Sequence, residues 1–183
     1  MRPSRLLLAA TAVTLVTGTL TACSSNAAAT CPTGAPNTAN SPDWTYQGQT
    51  GSIVVTGPTD TASPQVTVEK PFAVAETHVQ SFNPPGDGAV VGAGATVSVC
   101  YLGVNGRTGE RFDSAYDRGK PASFSVAPGE VIDGFRKAIV GQKVGTSVGV
   151  AIAPADGYPT GQPSAGILPG DTLIFVIKIL SAK

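Results

Sequence analysis

Two short runs, Phe112-Asp113-Ser114 and Val131-Ile132-Asp133-Gly134-Phe135, decide how this chain is read. Between them lies the turn-rich segment Tyr116-Asp117-Arg118-Gly119-Lys120-Pro121, with charges of both signs. Within 24 residues, 112–135, an acid follows directly on a Phe and a Val-Ile pair leads into a Gly-Phe helix start. A core strand has no use for a carboxylate beside its aromatic, because an unpaired buried charge is costly. An apolar hollow with one polar handle needs that combination. Taken singly, Phe112, Val131, Ile132, Phe135 and Phe175 read as core residues. Asp113 alone reads as a turn or capping acid, and Tyr158 as an exposed loop aromatic. Only their order along the chain favours a pocket.

Outward from this stretch the periodicity of the apolar residues predicts strands. In 96–101, Val97, Val99 and Tyr101 share one face while Thr96, Ser98 and Cys100 share the other. Residues 77–82, 111–113, 124–126 and 146–152 are also read as strands, with hairpin turn signals at Asn105-Gly106 and Thr108-Gly109. Residues 172–180 are apolar on both faces except for Thr172 and Lys178, which predicts a central strand. One helix is predicted over 133–140, with Phe135, Ala138 and Ile139 on one side and Gly141 as its stop. The fold class is therefore α+β, a curved antiparallel sheet of five to six strands wrapped over one short helix. The fifteen-residue Gly/Pro-rich loop 156–170 is longer than connections usually are, which marks it for function.

The N-terminus reads as an export signal. A basic Met1-Arg2-Pro3-Ser4-Arg5 precedes an apolar run, 6–20, that is too short and too rich in threonine for a comfortable membrane span. Leu20-Thr21-Ala22-Cys23 resembles the bacterial lipobox. That resemblance implies cleavage of a signal peptide, 1–22, and lipidation of Cys23, hence a membrane partner and anchorage at the outer face of the cell membrane. Residues 23–42 follow as the lipidated Cys and a flexible tether of Ala, Thr, Asn, Ser, Pro and Gly, reaching roughly 25 Å as a coil. Residues 43–75 have too little apolar material for a core of their own and are read as an N-terminal arm packed on the main domain, 76–183. Cys31 and Cys100 are a pair that an exported protein can keep as a disulfide. One lies in the tether and the other in a strand, so the sequence leaves their pairing open.

Composition sets further limits. Without Arg2 and Arg5 the balance is ten basic residues against twelve acidic, about −2, so no nucleic-acid partner is expected. His78 is the one histidine, which excludes most Ser-His and Cys-His sites, and no metal site or cofactor is predicted. With no apolar repeat or spare amphipathic helix in view, a monomer is expected.

In order, the chain carries Tyr101-x-Gly103, Phe112-Asp113-Ser114, Asp117-Arg118-Gly119-x-Pro121, Phe124, Val131-Ile132-x-Gly134-Phe135 and Val144-Gly145. Tyr158, Ile167-Leu168-Pro169 and Leu173-Ile174-Phe175 come after. Across about 78–181 this pattern resembles the FKBP-type peptidyl-prolyl cis-trans isomerases. The resemblance implies isomerisation of Xaa-Pro bonds in proline-containing polypeptide clients and inhibition by rapamycin-type macrolides. It also implies a pocket in which Tyr101, Phe112, Asp113, Ile132, Phe135, Tyr158 and Phe175 are the catalytic residues. Val131, Ile167, Leu168 and Arg118 would add substrate-binding contacts, with Asp113 tied to Arg118 and to the Tyr101 hydroxyl. The Ile132 N–H and the Tyr158 phenol would bond the bound peptide's carbonyls. Ala122 stands where the family often has an aromatic, and Pro159 and Gln162 re-space the 159–166 loop. Those departures favour a second reading, a proline-peptide binding or chaperone module with little turnover. A third is a structural lipoprotein that works through the Trp44/Tyr46 pair.

Overall fold

The computed structural model describes residues 29–36 and 41–183. The signal peptide and Cys23 lie outside the described residues. No helix among those described is long and apolar enough to cross a membrane.

The main sheet has six antiparallel strands: β4 (His78–Ser81), β5 (Thr96–Asn105), β6 (Arg111–Ser114), β7 (Ala122–Ser125), β8 (Ser147–Ile152) and β9 (Leu173–Ala182). Their order is β4-β8-β9-β5-β6. β9 is central, flanked by β8 and β5, as its two apolar faces predicted. β5 is longer than its alternating part suggested and has two partners on its other side. Thr96–Val99 pair with β7, and Leu102–Val104 pair with β6. Between them the chain leaves the sheet, held by the Ala115 N–H donating to the Tyr101 carbonyl at 2.9 Å.

The helix α1 (Asp133–Ile139) buries Gly134, Phe135, Ala138 and Ile139. It ends at Val140, and Gly141 takes φ +85°, a conformation with little cost only for glycine. Gly134 lies directly against the Ile152 side chain, so Ile152 faces the helix. By strand alternation Gly149 and Ala151 face the opposite side of the sheet.

The arm fills that opposite side. β1 (Trp44–Gln47), β2 (Thr50–Thr56) and β3 (Gln65–Ala73) form a three-stranded antiparallel sheet. Within β2, Ile53 and Val55 are buried and Val54 is exposed, as the strand's alternation requires. A β-carbon on Gly149 would lie 2.6 Å from the Trp44 ring, so the indole rests on the bare backbone of β8. The Phe72 N–H donates to Gly106 (2.9 Å) and the Val74 N–H to the Thr172 hydroxyl (3.1 Å). The arm is short of apolar residues because it has no separate core; it shares the main sheet's second face.

Residues 29–36 correct the expectation of a tether running free to 42. Cys31 is buried and disulfide-bonded to Cys100, with a Cα–Cα distance of 5.6 Å. The partner lies 69 residues away, and no local pattern announces so distant a pairing.

Candidate functional site

The concave side of the main sheet and the start of α1 enclose a cavity of about 250 Å³. Tyr101, Phe112, Asp113, Phe124, Glu130, Val131, Ile132, Phe135, Tyr158 and Phe175 line it. Tyr101 comes from β5, Phe112 and Asp113 from β6, Phe124 from β7 and Phe175 from β9. Phe135 is brought in by the first turn of α1.

The aromatic rings support one another edge-on. Phe135 stands 5.4 Å from Phe124 and 5.4 Å from Phe175, at interplanar angles of 72° and 77°. Phe112 meets Phe175 at 5.5 Å and 84°. Such T-shaped contacts favour fixed ring positions beyond what burial alone gives. The Gly103 position admits these rings: a β-carbon there would come within 2.7 Å of Phe112 and 3.0 Å of Phe175.

The polar handle is a three-residue network. The Tyr101 hydroxyl donates to Asp113 Oδ2. Arg118 donates from Nη1 to Asp113 Oδ1 at 2.6 Å and from Nη2 to the Tyr101 oxygen at 3.0 Å. Its guanidinium also lies over the Tyr101 ring, 5.7 Å from the centroid. The Ser114 N–H donates to Asp113 Oδ1 at 2.8 Å. Partial burial opposes charge on Asp113, but the bonds from Arg118 and Tyr101 outweigh it and hold the carboxyl below its usual range. Burial, and after it the Asp113 carboxylate, raise the Tyr101 phenol above its usual range despite the opposing pull of Arg118. At neutral pH the handle is thus carboxylate, phenol and guanidinium.

Ile132 precedes α1 with φ −57° and ψ 142°, and its N–H has no hydrogen-bond partner among the described residues. Tyr158 follows the short turn Pro154–Asp156. Asp156 anchors that turn by accepting bonds from Lys137 Nζ (2.7 Å) and the Thr77 hydroxyl (2.6 Å). The far end of the loop is tied by Asp171, which accepts from Asn105, from Arg107 and from the Leu168 N–H.

Three of the expected residues do not line the cavity. Ile167 is buried beneath the loop, where reciprocal backbone bonds with Gln162 turn it inward. Leu168 is 51% exposed. Arg118 lines an adjoining groove with Arg111, Phe112, Asp113, Ser114 and Asp117, and reaches the pocket only through Asp113 and Tyr101. Two lining residues were not foreseen as such. Phe124 was quoted only as part of the pattern, although its spacing from Ala122 puts both on one face of β7. Glu130 carries no sequence signal beyond standing next to Val131.

A family model described as FKBP-type peptidyl-prolyl cis-trans isomerase matches residues 88–180. The FK506-binding protein of Streptomyces anulatus is 43% identical over 99 residues, 52% of this chain and 78% of that protein. A probable FK506-binding protein of Corynebacterium glutamicum is 41% identical over 98 residues, 53% of this chain and 80% of that one. Among solved structures, FkpA from Escherichia coli superposes with a TM-score of 0.51 at 31% identity, covering 58% of this chain. This chain spans about half of FkpA, 48% of its length.

Proposed function

The chain belongs to the FKBP-type peptidyl-prolyl cis-trans isomerase family, and we propose that it isomerises Xaa-Pro bonds of exported proteins at the cell envelope. The observation that carries this reading is the aromatic cavity closed on one side by the Tyr101–Asp113–Arg118 network.

Rotation about an Xaa-Pro amide breaks no covalent bond, but it must cross a barrier of about 18–20 kcal/mol and takes tens to hundreds of seconds unaided. The planar amide is polar through resonance, and the twisted amide loses that charge separation. A proline ring seated among Phe112, Phe135 and Phe175 has its amide moved out of water, which raises the planar state relative to the twisted one. The pocket thereby binds the transition state better than the ground state. The Ile132 N–H, with no hydrogen-bond partner among the described residues, is available at the cavity to hold a substrate carbonyl, and Tyr158 supplies a second donor from the loop. Asp113 is the polar contact beside the rotating amide, and Arg118 keeps it charged and in place.

The lipobox-like Leu20-Thr21-Ala22-Cys23 and the export signal support a protein tethered through lipid on Cys23 to the outer face of the membrane. The binding or chaperone module with little turnover stays as the second reading, because Ala122 leaves the wall beside Phe124 short. A coupled assay on a short Xaa-Pro peptide, with protein from residue 24 onward and with or without rapamycin, separates the two. Turnover abolished by rapamycin supports the isomerase. Macrolide binding without turnover supports the binding module, and the absence of both turnover and binding overturns both uses of the pocket. Anchorage is tested separately: Cys23→Ala should release the protein from the membrane fraction and end its labelling by fatty acid.

A further inference from the structure

The Cys31–Cys100 disulfide sits where β5 lacks a strand partner on one side, between the end of its pairing with β7 at Val99 and the start of its pairing with β6 at Leu102. The turn Tyr116–Gly119 crosses this gap, and the segment 30–33 lies against the turn. The Cys31 N–H donates to the Gly119 carbonyl at 3.3 Å. Gly119 has φ +63°, and a β-carbon on it would be 3.3 Å from Thr33 Cγ2, so Thr33 packs on the glycine's face. Tyr116, only 2% exposed, shares a small cavity of about 110 Å³ with Thr30, Pro32 and Cys100. Arg118 stands between Tyr116 and Gly119, within the braced turn.

Arg118 needs such support. Its side chain is half exposed, and an ion pair of that kind is weak when the backbone beneath it is free to move. Here both ends of the handle are held by the same covalent link. Cys100 is bonded in sequence to Tyr101, and Cys31 grips the carbonyl of the residue after Arg118.

We propose that the segment Cys31–Thr33, fastened by its disulfide, is a positioning element for the isomerase pocket, which sets Arg118 on Asp113 and Tyr101 by bracing the 116–119 turn. This rests on the reading of that network as the pocket's polar handle. Cys31 and Thr33 touch no substrate and act only through Arg118.

A double-mutant cycle on the full chain tests it, with kcat/KM measured well below the unfolding temperature. Removing the disulfide with Cys31→Ser and Cys100→Ser should lower kcat/KM roughly three- to tenfold, the size of effect that a sub-ångström misplacement produces. Arg118→Ala should cause a similar loss in the disulfide-bonded protein and less than about twofold further loss without the disulfide. The acid limb of the pH profile should move toward the ordinary carboxylate range in the variant lacking the disulfide, a shift that general loosening elsewhere would not give. Full additivity of the two losses overturns the proposal, as does an unchanged kcat/KM after disulfide removal when Arg118→Ala alone is damaging. No loss from Arg118→Ala in either background overturns the handle reading and the brace with it. Should the double serine variant not fold, Thr33→Ala, which leaves the disulfide intact, takes its place in the same cycle with an expected loss of about twofold.

Discussion

Gly134 in the helix and Ile152 in β8 touch so closely that the glycine has no room for a β-carbon. This contact sets the depth of α1 over the sheet, and with it the positions of Ile132 and Phe135 on either side. Gly134→Ala should lift the helix and cost about 1–3 kcal/mol, the usual penalty of overpacking. Chemical denaturation should show that loss, and the folded fraction should turn over peptide more slowly, because the donor and the aromatic floor move together. An unchanged kcat/KM would mean that the pocket tolerates movement of its floor.

Acid should weaken the protein through specific carboxylates. Asp113 and Asp171 are both held below their usual range, by Arg118 and Tyr101 in one case and by Arg107 and Asn105 in the other, against partial burial that opposes the charge. Bonds from Lys137 and Thr77 lower Asp156. When the folded value lies below the unfolded one, the unfolded chain takes up protons first as pH falls. The stabilisation is therefore complete above the ordinary carboxylate value of about 3.9 and is lost as pH drops through the depressed folded values. Urea unfolding at several pH values should show stability level near neutrality and falling below about pH 4. Asp113→Asn should flatten part of that fall. A slope that is the same in the variant would remove Asp113 from the explanation.

Glu130 gives the pocket a charge preference. Asp113 is compensated by Arg118, while Glu130 lines the cavity and has no ion pair among the described residues. A lysine flanking the proline should be turned over faster than a glutamate at the same position, by about two- to fivefold at low salt, as expected of an exposed pair. Salt should reduce the difference, and Glu130→Gln should abolish it. Equal rates for the two peptides would show that Glu130 is too well solvated to matter.

Trp44 is predicted to matter for stability and not for chemistry. Its ring covers Gly149 on the face of the sheet away from the pocket. Trp44→Ala should cost about 3–5 kcal/mol and leave kcat/KM unchanged at temperatures where the protein is folded. A selective loss of turnover would show that the arm communicates with the pocket.

What the sequence disclosed followed the range of its signals. The alternation of Val97, Val99 and Tyr101, the doubly apolar β9 and the Phe135–Ala138–Ile139 face of the helix are set by neighbours a few residues away, and they were legible. The same is true of Tyr101, Phe112 and Asp113, whose order fits one recurring pattern. That the arm leans on the main domain was legible from its shortage of apolar residues, but the surface it uses was not, because Gly149, which receives Trp44, lies about a hundred residues further on. Ile167 and Leu168 adjoin in sequence, yet a tight turn buries one and exposes the other, which no periodicity predicts. Cys31 looked like tether because its partner is remote.

The disulfide also changes how far the catalytic domain can stray. Once Cys31 is fixed to β5, the freedom between the domain and the proposed lipid on Cys23 is no longer nineteen residues but eight peptide steps, no more than about 28 Å fully extended. Cys100 and Tyr101 are successive residues of one strand and point to opposite faces, so Cys31 is fastened on the side away from the pocket. With the proposed lipid on Cys23, the point of attachment would lie behind the sheet and leave the mouth of the pocket unobstructed. Chains emerging at the membrane surface would meet it at close quarters, and those passing farther out would be beyond its reach.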